Sequence, residues 1–361
     1  MLDSLLNDEQ RTQAGSLLSV AMAQVKTTLA TQATPTTQPA TIVALLDDVV
    51  ARHSPTFSTT KDGTWQAISS QDFLAARKGA MTLGLYSIGV RPDQHVGLLE
   101  NRPEWTIADL GILHCACADV PIYATQAPKQ VSYILNDAQV SVLFISTAQQ
   151  FARVRECLND VPGLTRIITF DHFETDDPRV MYWADLQAYG RQLYRLQPDL
   201  YDRLREQVTP EQLATLIYTS GTTGELKGVI LTHRNIMSNV QSVAATMNIN
   251  PGDTALSFLP FSHIFERVTI YLDLFMRVKI YLASSIDTVA QNLTEVRPHF
   301  MTSVPRLYEK IYGARSKRPK RRERRRHALR TGRLKWRKKW AVLENSGQPI
   351  PFRCKPTARL R

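Results

Sequence analysis

The chain has 361 residues, with 44 Lys+Arg against 33 Asp+Glu and a formal net charge of +11. The charge is not spread evenly: residues 316–361 hold 18 of the basic residues and 2 of the acidic ones, a net of +16, so the first 315 residues are a mildly acidic body of net −5. No uncharged apolar run approaches the roughly 18 residues of a membrane span, no basic n-region precedes a long apolar core, and the four cysteines (Cys115, Cys117, Cys157, Cys354) form no zinc or disulfide framework. A reducing cytoplasm is therefore the expected setting.

Residues 1–26 have some amphipathic character, and residues 27–41, rich in Thr, Gln, Ala and Pro, read as a flexible linker. Beyond it, strands and helices alternate. Apolar runs predict strands at 95–99, 119–123, 140–145, 166–170, 214–219, 228–231, 255–259, 278–282 and 299–303. Helical periodicity predicts helices at 70–88, 104–117, 128–137, 147–158, 233–247, 262–276, 287–295 and 305–313, with Thr232 as a helix N-cap. This alternation argues for an α/β protein: layered αβα subdomains with largely parallel sheets, two of them at this length.

The most informative stretch is Thr215–Arg234. An apolar lead-in reaches Tyr218-Thr-Ser-Gly-Thr-Thr-Gly-Glu-Leu-Lys-Gly228, and a second apolar run follows. Thr219, Ser220, Thr222 and Thr223 offer hydroxyls. Gly221, Gly224 and Gly228 allow close backbone approach and positive φ, and Lys227 adds a point charge. Such a loop suits a polyphosphate. It is not the common P-loop, because Leu226 precedes Lys227 and Gly228 follows it, and strand–loop–strand is the better reading.

These residues resemble the signature loop of the AMP-forming acyl-CoA synthetases. Leu256-Ser-Phe-Leu-Pro-Phe-Ser-His-Ile-Phe-Glu-Arg267 and Val304-Pro-Arg-Leu-Tyr-Glu-Lys-Ile-Tyr312 are similar to later words of the long-chain fatty-acid branch, as are Glu100-Asn-Arg-Pro-Glu-Trp105 and Val120-Pro-Ile-Tyr123. The resemblance covers roughly 41–315 and implies a truncated adenylate-forming N-terminal domain. It implies ATP, Mg2+ and coenzyme A as cofactor and co-substrates, with a fatty acid as substrate. The carboxylate is activated as an acyl-adenylate, because AMP is a far better leaving group than oxide. The implied nucleotide-binding residues are Thr219, Ser220, Gly221, Thr222, Thr223, Gly224 and Lys227, with Thr219 on the magnesium side. Lys227 and His263 are the implied catalytic pair. His263 either contacts the substrate carboxylate or simply caps a helix. Glu266 and Arg267 are either an ion pair on the pocket wall or a solvated helix face.

The expected organisation is an extension and linker over 1–40, a partial adenylation domain over 41–315 and a basic tail over 316–361. Fourteen Lys and Arg fall between Lys317 and Lys339, where the family carries an ordinary helical segment. A reading frame shifted after Arg315 is the leading account of the tail; an inert solvated tail and an arm for nucleic acid or acidic membrane are the others. The family's later motifs do not follow, so this chain is expected to be inactive or impaired by itself. An acyl-AMP ligase feeding a carrier protein is the enzymatic alternative, and a non-catalytic protein binding nucleic acid or acidic membrane through the tail is the other. Peripheral contact with the inner face of a membrane is compatible with a fatty-acid enzyme, and nucleic acid is not the expected partner.

Overall fold

A computed structural model of the chain describes residues 38–51, 57–61, 64–69, 72, 81–99, 102–220, 226–305, 307 and 309. The chain divides into two compact units, Met1–Thr302 and Ser303–Arg361. Among the described residues, every strand of both sheets lies in the first unit.

In chain order the elements are α1 (Ile42–Ala51), β1 (Phe57–Lys61), β2 (Thr64–Ile68), α2 (Leu83–Ser87), β3 (His95–Leu99), α3 (Pro103–His114), β4 (Ala118–Ile122), α4 (Pro128–Asp137), β5 (Val142–Ile145), α5 (Ala148–Val154), β6 (Arg166–Thr169), β7 (Val180–Tyr182), α6 (Trp183–Leu196), α7 (Leu200–Arg205), β8 (Leu213–Ser220), β9 (Leu226–Thr232), α8 (His233–Ala244), β10 (Thr254–Ser257), α9 (Ile264–Phe275), β11 (Lys279–Leu282) and α10 (Val289–Val296). They build a seven-stranded sheet in the order β7-β6-β5-β3-β4-β8-β9 and a four-stranded sheet in the order β10-β11-β1-β2. Every pairing is parallel except the two hairpins, β8/β9 and β1/β2. The α/β class and the largely parallel sheets expected from the alternation are thus present.

The large sheet is buried on both faces, which is why its central strands read as unbroken apolar runs. Successive residues of β5 face opposite ways: Val142 and Phe144 join one core, Leu143 and Ile145 the other. The first core takes Ile107, Leu110 and Leu113 of α3 with Ile236 and Val240 of α8; the second takes Val131, Ile134 and Leu135 of α4 with Phe151 and Val154 of α5. Two helix layers therefore enclose the sheet. Pro103 and Pro128 open α3 and α4 at positions whose N–H would have no helical partner anyway. Thr232 caps α8 through a reciprocal box with Asn235, as expected. Gly111 lets α3 close on the chain before α2, since a Cβ there would lie 2.1 Å from Met81 Cγ.

Four local expectations change. Residues 299–303 form no strand; Phe300 makes a single bridge to Ala255. The helix expected over 147–158 ends at Val154 and tightens into a 3-10 turn over Glu156–Asp160, ahead of Pro162. Helices α6 and α7 occupy a region that carried no expected element, although α6 is amphipathic, with Leu186 buried and Trp183 and Leu193 partly buried against the core. Strands β1 and β2 are short and largely polar; β1 gains its place by pairing with β11, more than 200 residues later, and β2 by its hairpin with β1. Of the helix expected over 70–88, residues Leu83–Ser87 are helical, while 73–80 lie outside the described residues. Those expected at 305–313, the linker and the basic tail lie largely or wholly outside them as well.

His233 begins α8 fully buried, and its Nδ1 accepts the backbone N–H of Ile42 at 3.4 Å. Burial, aided by the charge of Arg267, pushes its pKa down to about 4. The native state therefore refuses a proton that the unfolded chain accepts below about 6.5, and stability falls as pH drops from there toward 4. Urea denaturation of H233Q against the parent should show the parent's stability declining by about 3 kcal/mol more than the variant's between pH 7 and pH 4; parallel pH curves would refute this assignment.

Candidate functional site

Strands β8 and β9 form the hairpin that carries the phosphate-loop motif. Their register sets Thr219 opposite Lys227 and Tyr218 opposite Gly228. Directly opposed residues of an antiparallel pair share a face, so the side chains of Thr219 and Lys227, both exposed, leave the hairpin on the same face at the base of the loop. The strand–loop–strand reading is correct. Gly221, Thr222, Thr223 and Gly224 lie outside the described residues, as does the side chain of Ser220. Gly228 has a different role from the one expected. It lies in the strand without positive φ, and a Cβ there would meet the Tyr218 ring at 3.2 Å, so the glycine makes room for that ring. Tyr218 in turn donates to Asp137 at 2.5 Å and packs edge-on against Tyr133, which braces the hairpin on α4.

The second motif links β10 to α9. Ser257 ends β10, Phe258–Ser262 form the connection, and His263 caps α9 by accepting the Phe265 N–H on Nδ1 at 3.1 Å. With Nδ1 accepting, the neutral ring carries its proton on Nε2, and the side chain is exposed. The capping role is therefore real, and it leaves Nε2–H as the donor available to a ligand. The structure brings Thr219 and Lys227 together and places His263 on a separate element.

A cavity of about 630 Å³ lies at the carboxyl ends of β10 and β11. Phe258, Leu259, Phe261, Ile107 and Leu282 form its apolar wall. Arg102 and Glu104, at the start of α3, bring charge to it; Arg102 is held by Glu104 at 2.8 Å, Asp171 at 2.9 Å and Ser146 at 3.0 Å. His263 does not line this cavity, but the connection leading to it does.

Glu266 and Arg267 fit neither expected reading: both are 1% exposed and they do not pair with each other. Glu266 accepts the hydroxyl of Ser257, a cavity-lining residue, on one oxygen, and its Oε2 has no hydrogen-bond partner. Two turns on, Asp273 is also buried with an unpartnered oxygen. Arg267 reaches Asp109 and Asp119, both fully buried. Asp109, Asp119 and Asp273 escaped the motif reading, and the burial of Glu266 and Arg267 went unread, although one signal was present: Glu, Arg and Asp interrupt an otherwise apolar helix, Ile264–Phe275, on faces that an α/β layer must cover.

The model of the AMP-binding enzyme family matches residues 46–351. The chain belongs to that family. The matched span includes most of the basic segment. Among curated relatives of this AMP-binding protein, it is 31% identical over 229 residues to human long-chain-fatty-acid–CoA ligase 1, covering 61% of this chain and 33% of the relative. It is 31% identical over 269 residues to the long-chain-fatty-acid–CoA ligase FadD15 of Mycobacterium bovis, covering 70% and 41%. The chain thus spans about a third to two fifths of the length of these relatives. Among solved structures, a long-chain-fatty-acid-CoA ligase (FadD1) from Archaeoglobus fulgidus superposes with a TM-score of 0.64 at 18% identity, covering 75% of this chain and 53% of that one. The N-terminal domain of FACL13 from Mycobacterium tuberculosis gives 0.57 at 20% identity, covering 74% and 63%. At these identities the structures establish the fold, that of N-terminal domains of adenylate-forming enzymes. No helix among the described residues is long and apolar enough to cross a membrane.

The donor set fits a magnesium–polyphosphate better than a metal caged by protein alone. Among the described residues no three His, Cys, Asp or Glu side chains converge, whereas the hairpin sets one hydroxyl beside one ammonium. Mg2+ keeps waters and substrate phosphates in its shell, so a single hydroxyl such as Thr219 is an adequate protein contribution.

Glu266 gives this site a measurable signature. Burial pushes its pKa up to about 7, against the opposing hydrogen bond from Ser257. Its folded-state value lies above the unfolded one, so its proton is retained in the fold; stability is highest below about 4.5 and is lost as pH rises toward 7. Replacing it by glutamine removes the charge and keeps an acceptor for Ser257. E266Q should gain about 3 kcal/mol over the parent at pH 8 relative to their difference at pH 4.5, read from denaturant midpoints at the two pH values; an unchanged difference would refute a buried, ionising Glu266.

Proposed function

We propose that this chain is the nucleotide- and acyl-binding portion of a long-chain fatty-acid–CoA ligase, which activates a fatty acid with ATP as an acyl-adenylate and passes the acyl group to coenzyme A. The observation that supports it most is the register that sets Thr219 beside Lys227 at the base of the Ser220–Glu225 loop. The curated relatives at about 30% identity favour the long-chain substrate, and the apolar wall of the cavity suits an acyl chain.

In this reading the loop backbone, with Ser220, Gly221, Thr222, Thr223 and Gly224, wraps the β- and γ-phosphates. Lys227 follows the charge that gathers as carboxylate approaches triphosphate, a point charge fixed in advance where charge develops. Thr219 turns its hydroxyl to the magnesium side. Mg2+, when bound with ATP, neutralises phosphate charge and holds the nucleotide in one geometry. His263 donates from Nε2 to the substrate carboxylate and keeps its ring fixed through the Nδ1 cap. Phe258, Leu259 and Phe261 keep water from the acyl chain. Transfer to a carrier protein instead of coenzyme A is the alternative for the second step, and the acceptor is decided by comparing the two directly.

The test starts with binding. MgATP titrated calorimetrically into the chain should give a saturable signal, and K227A should weaken it tenfold or more, the scale of one charge-assisted phosphate contact. No binding by the parent chain, or equal binding by K227A, would sink the nucleotide reading. Titration of palmitate, octanoate and acetate into the MgATP-saturated chain, a binding readout that needs no turnover, then ranks the acid, and palmitate should lead.

A further inference from the structure

The two motif segments lie on different elements, the Thr219 strand β8 and the His263 helix α9, and one buried network runs between them. Thr215, four residues before Thr219 on β8, donates its hydroxyl to Asp119 Oδ1 at 2.9 Å. Arg267 donates from Nη1 to the same oxygen at 2.8 Å and from Nη2 to Asp119 Oδ2. Its Nη2 also reaches Asp109 Oδ1 at 2.5 Å, and its Nε donates to Tyr271 Oη at 2.9 Å, whose hydroxyl donates to Asp109 Oδ2 at 2.6 Å. The backbone N–H of Arg267 donates to the carbonyl of His263 at 3.2 Å. Hydrogen bonds thus run from the β8 strand to His263 with Arg267 in the middle.

We propose that Arg267 is a positioning residue which fixes the start of α9 against β8, and so sets His263 relative to Thr219 and Lys227. The inference rests on the functional reading above for its purpose, but its geometry stands apart from it. Three observations carry it. Arg267, Asp109, Asp119, Thr215 and Tyr271 are each 0–1% exposed, so the cluster is dry and its bonds have no competing solvent. A buried ion cluster adds little net stability over a packed apolar one, and its best-attested use is to fix registry. The guanidinium fork meets Asp119 with two nitrogens, an arrangement a lysine cannot reproduce.

The strand side needs such a fastener. Strand β4 pairs with β8 only at Asp119↔Thr215. Two residues on, Pro121 has no N–H to extend the ladder. The Thr215–Asp119 side-chain bond therefore reinforces the one backbone pairing that holds β8, and with it Thr219, to the rest of the sheet.

The test uses T215V, which removes one hydroxyl and keeps the shape of the side chain, together with R267K. Amide hydrogen exchange of the ligand-free chain reads peptides over 214–220 and 263–270, with peptides of β5 and β6 as reference. In T215V both regions should exchange at least fivefold faster while β5 and β6 keep the parent rates; R267K should give the same pattern more strongly. Faster exchange confined to 214–220, or rising uniformly across the chain, would overturn the coupling. T215V decides the question even where R267K does not fold. MgATP titration separates the two readings: if the parent binds, T215V should bind at least fivefold more weakly, and unchanged binding would overturn positioning. If the parent does not bind, the functional reading fails while the exchange data still decide the coupling.

Discussion

The dry salt cluster around Arg267 is the constraint on which the rest of the first unit turns. One guanidinium, placed by α9, meets Asp109 of α3 and Asp119 of β4, with Tyr271 and Thr215 completing the set. Burial works against the charge on Arg267, and the two carboxylates overcome it and hold the group protonated. Burial, with the neighbouring Asp119, pushes the Asp109 carboxyl well above the usual carboxylate range, against the attraction of Arg267. Removing a single member would leave an uncompensated polar group where no water reaches, and this binds helix, sheet and hairpin into one decision.

That cluster also explains the position of His233. Its neutral ring lies near enough to Arg267 to feel its charge, and it accepts a bond from the first residue of α1. Helices α1, α8 and α9 thereby gather on one face of the large sheet around a cation that is itself held by that sheet. On the same helix as Arg267, Glu266 accepts from Ser257, which lines the cavity, so neighbouring residues of α9 serve different partners: Arg267 meets Asp109 and Asp119, and Glu266 meets Ser257.

Much of the fold was legible because strand and helix leave strong periodic marks when both faces of a sheet are buried. Strands β3, β6, β8 and β11 stand within a residue or two of the apolar runs that announce them, and Thr232 announces α8 through its capping chemistry. What escaped had weak marks. Polar β1 exists through pairing with β11 and β2 through its hairpin with β1, while α6 sets Tyr189, Tyr194 and Leu196 outside its core-facing stripe of Trp183, Leu186 and Leu193. The candidate site was legible as chemistry and not as geometry. Thr219 and Lys227 were recognisable as residues suited to phosphate, but their opposition across the hairpin follows from the β8/β9 register, and Gly228 proved to serve the Tyr218 ring.

The sequence alone therefore determined the α/β class, the phosphate-suited loop and the membership of the AMP-binding family, because local pattern and motif chemistry need only neighbours along the chain. Tertiary structure alone decided that Glu266 and Arg267 are buried and serve different partners, that His263 caps α9 with Nε2 left to donate, and that Asp119 joins Thr215 to Arg267. The partners of Arg267 in Asp109 and Asp119 stand 158 and 148 residues away. Whether a charge is solvated or buried depends on which distant elements close over it, and no local pattern carries that information.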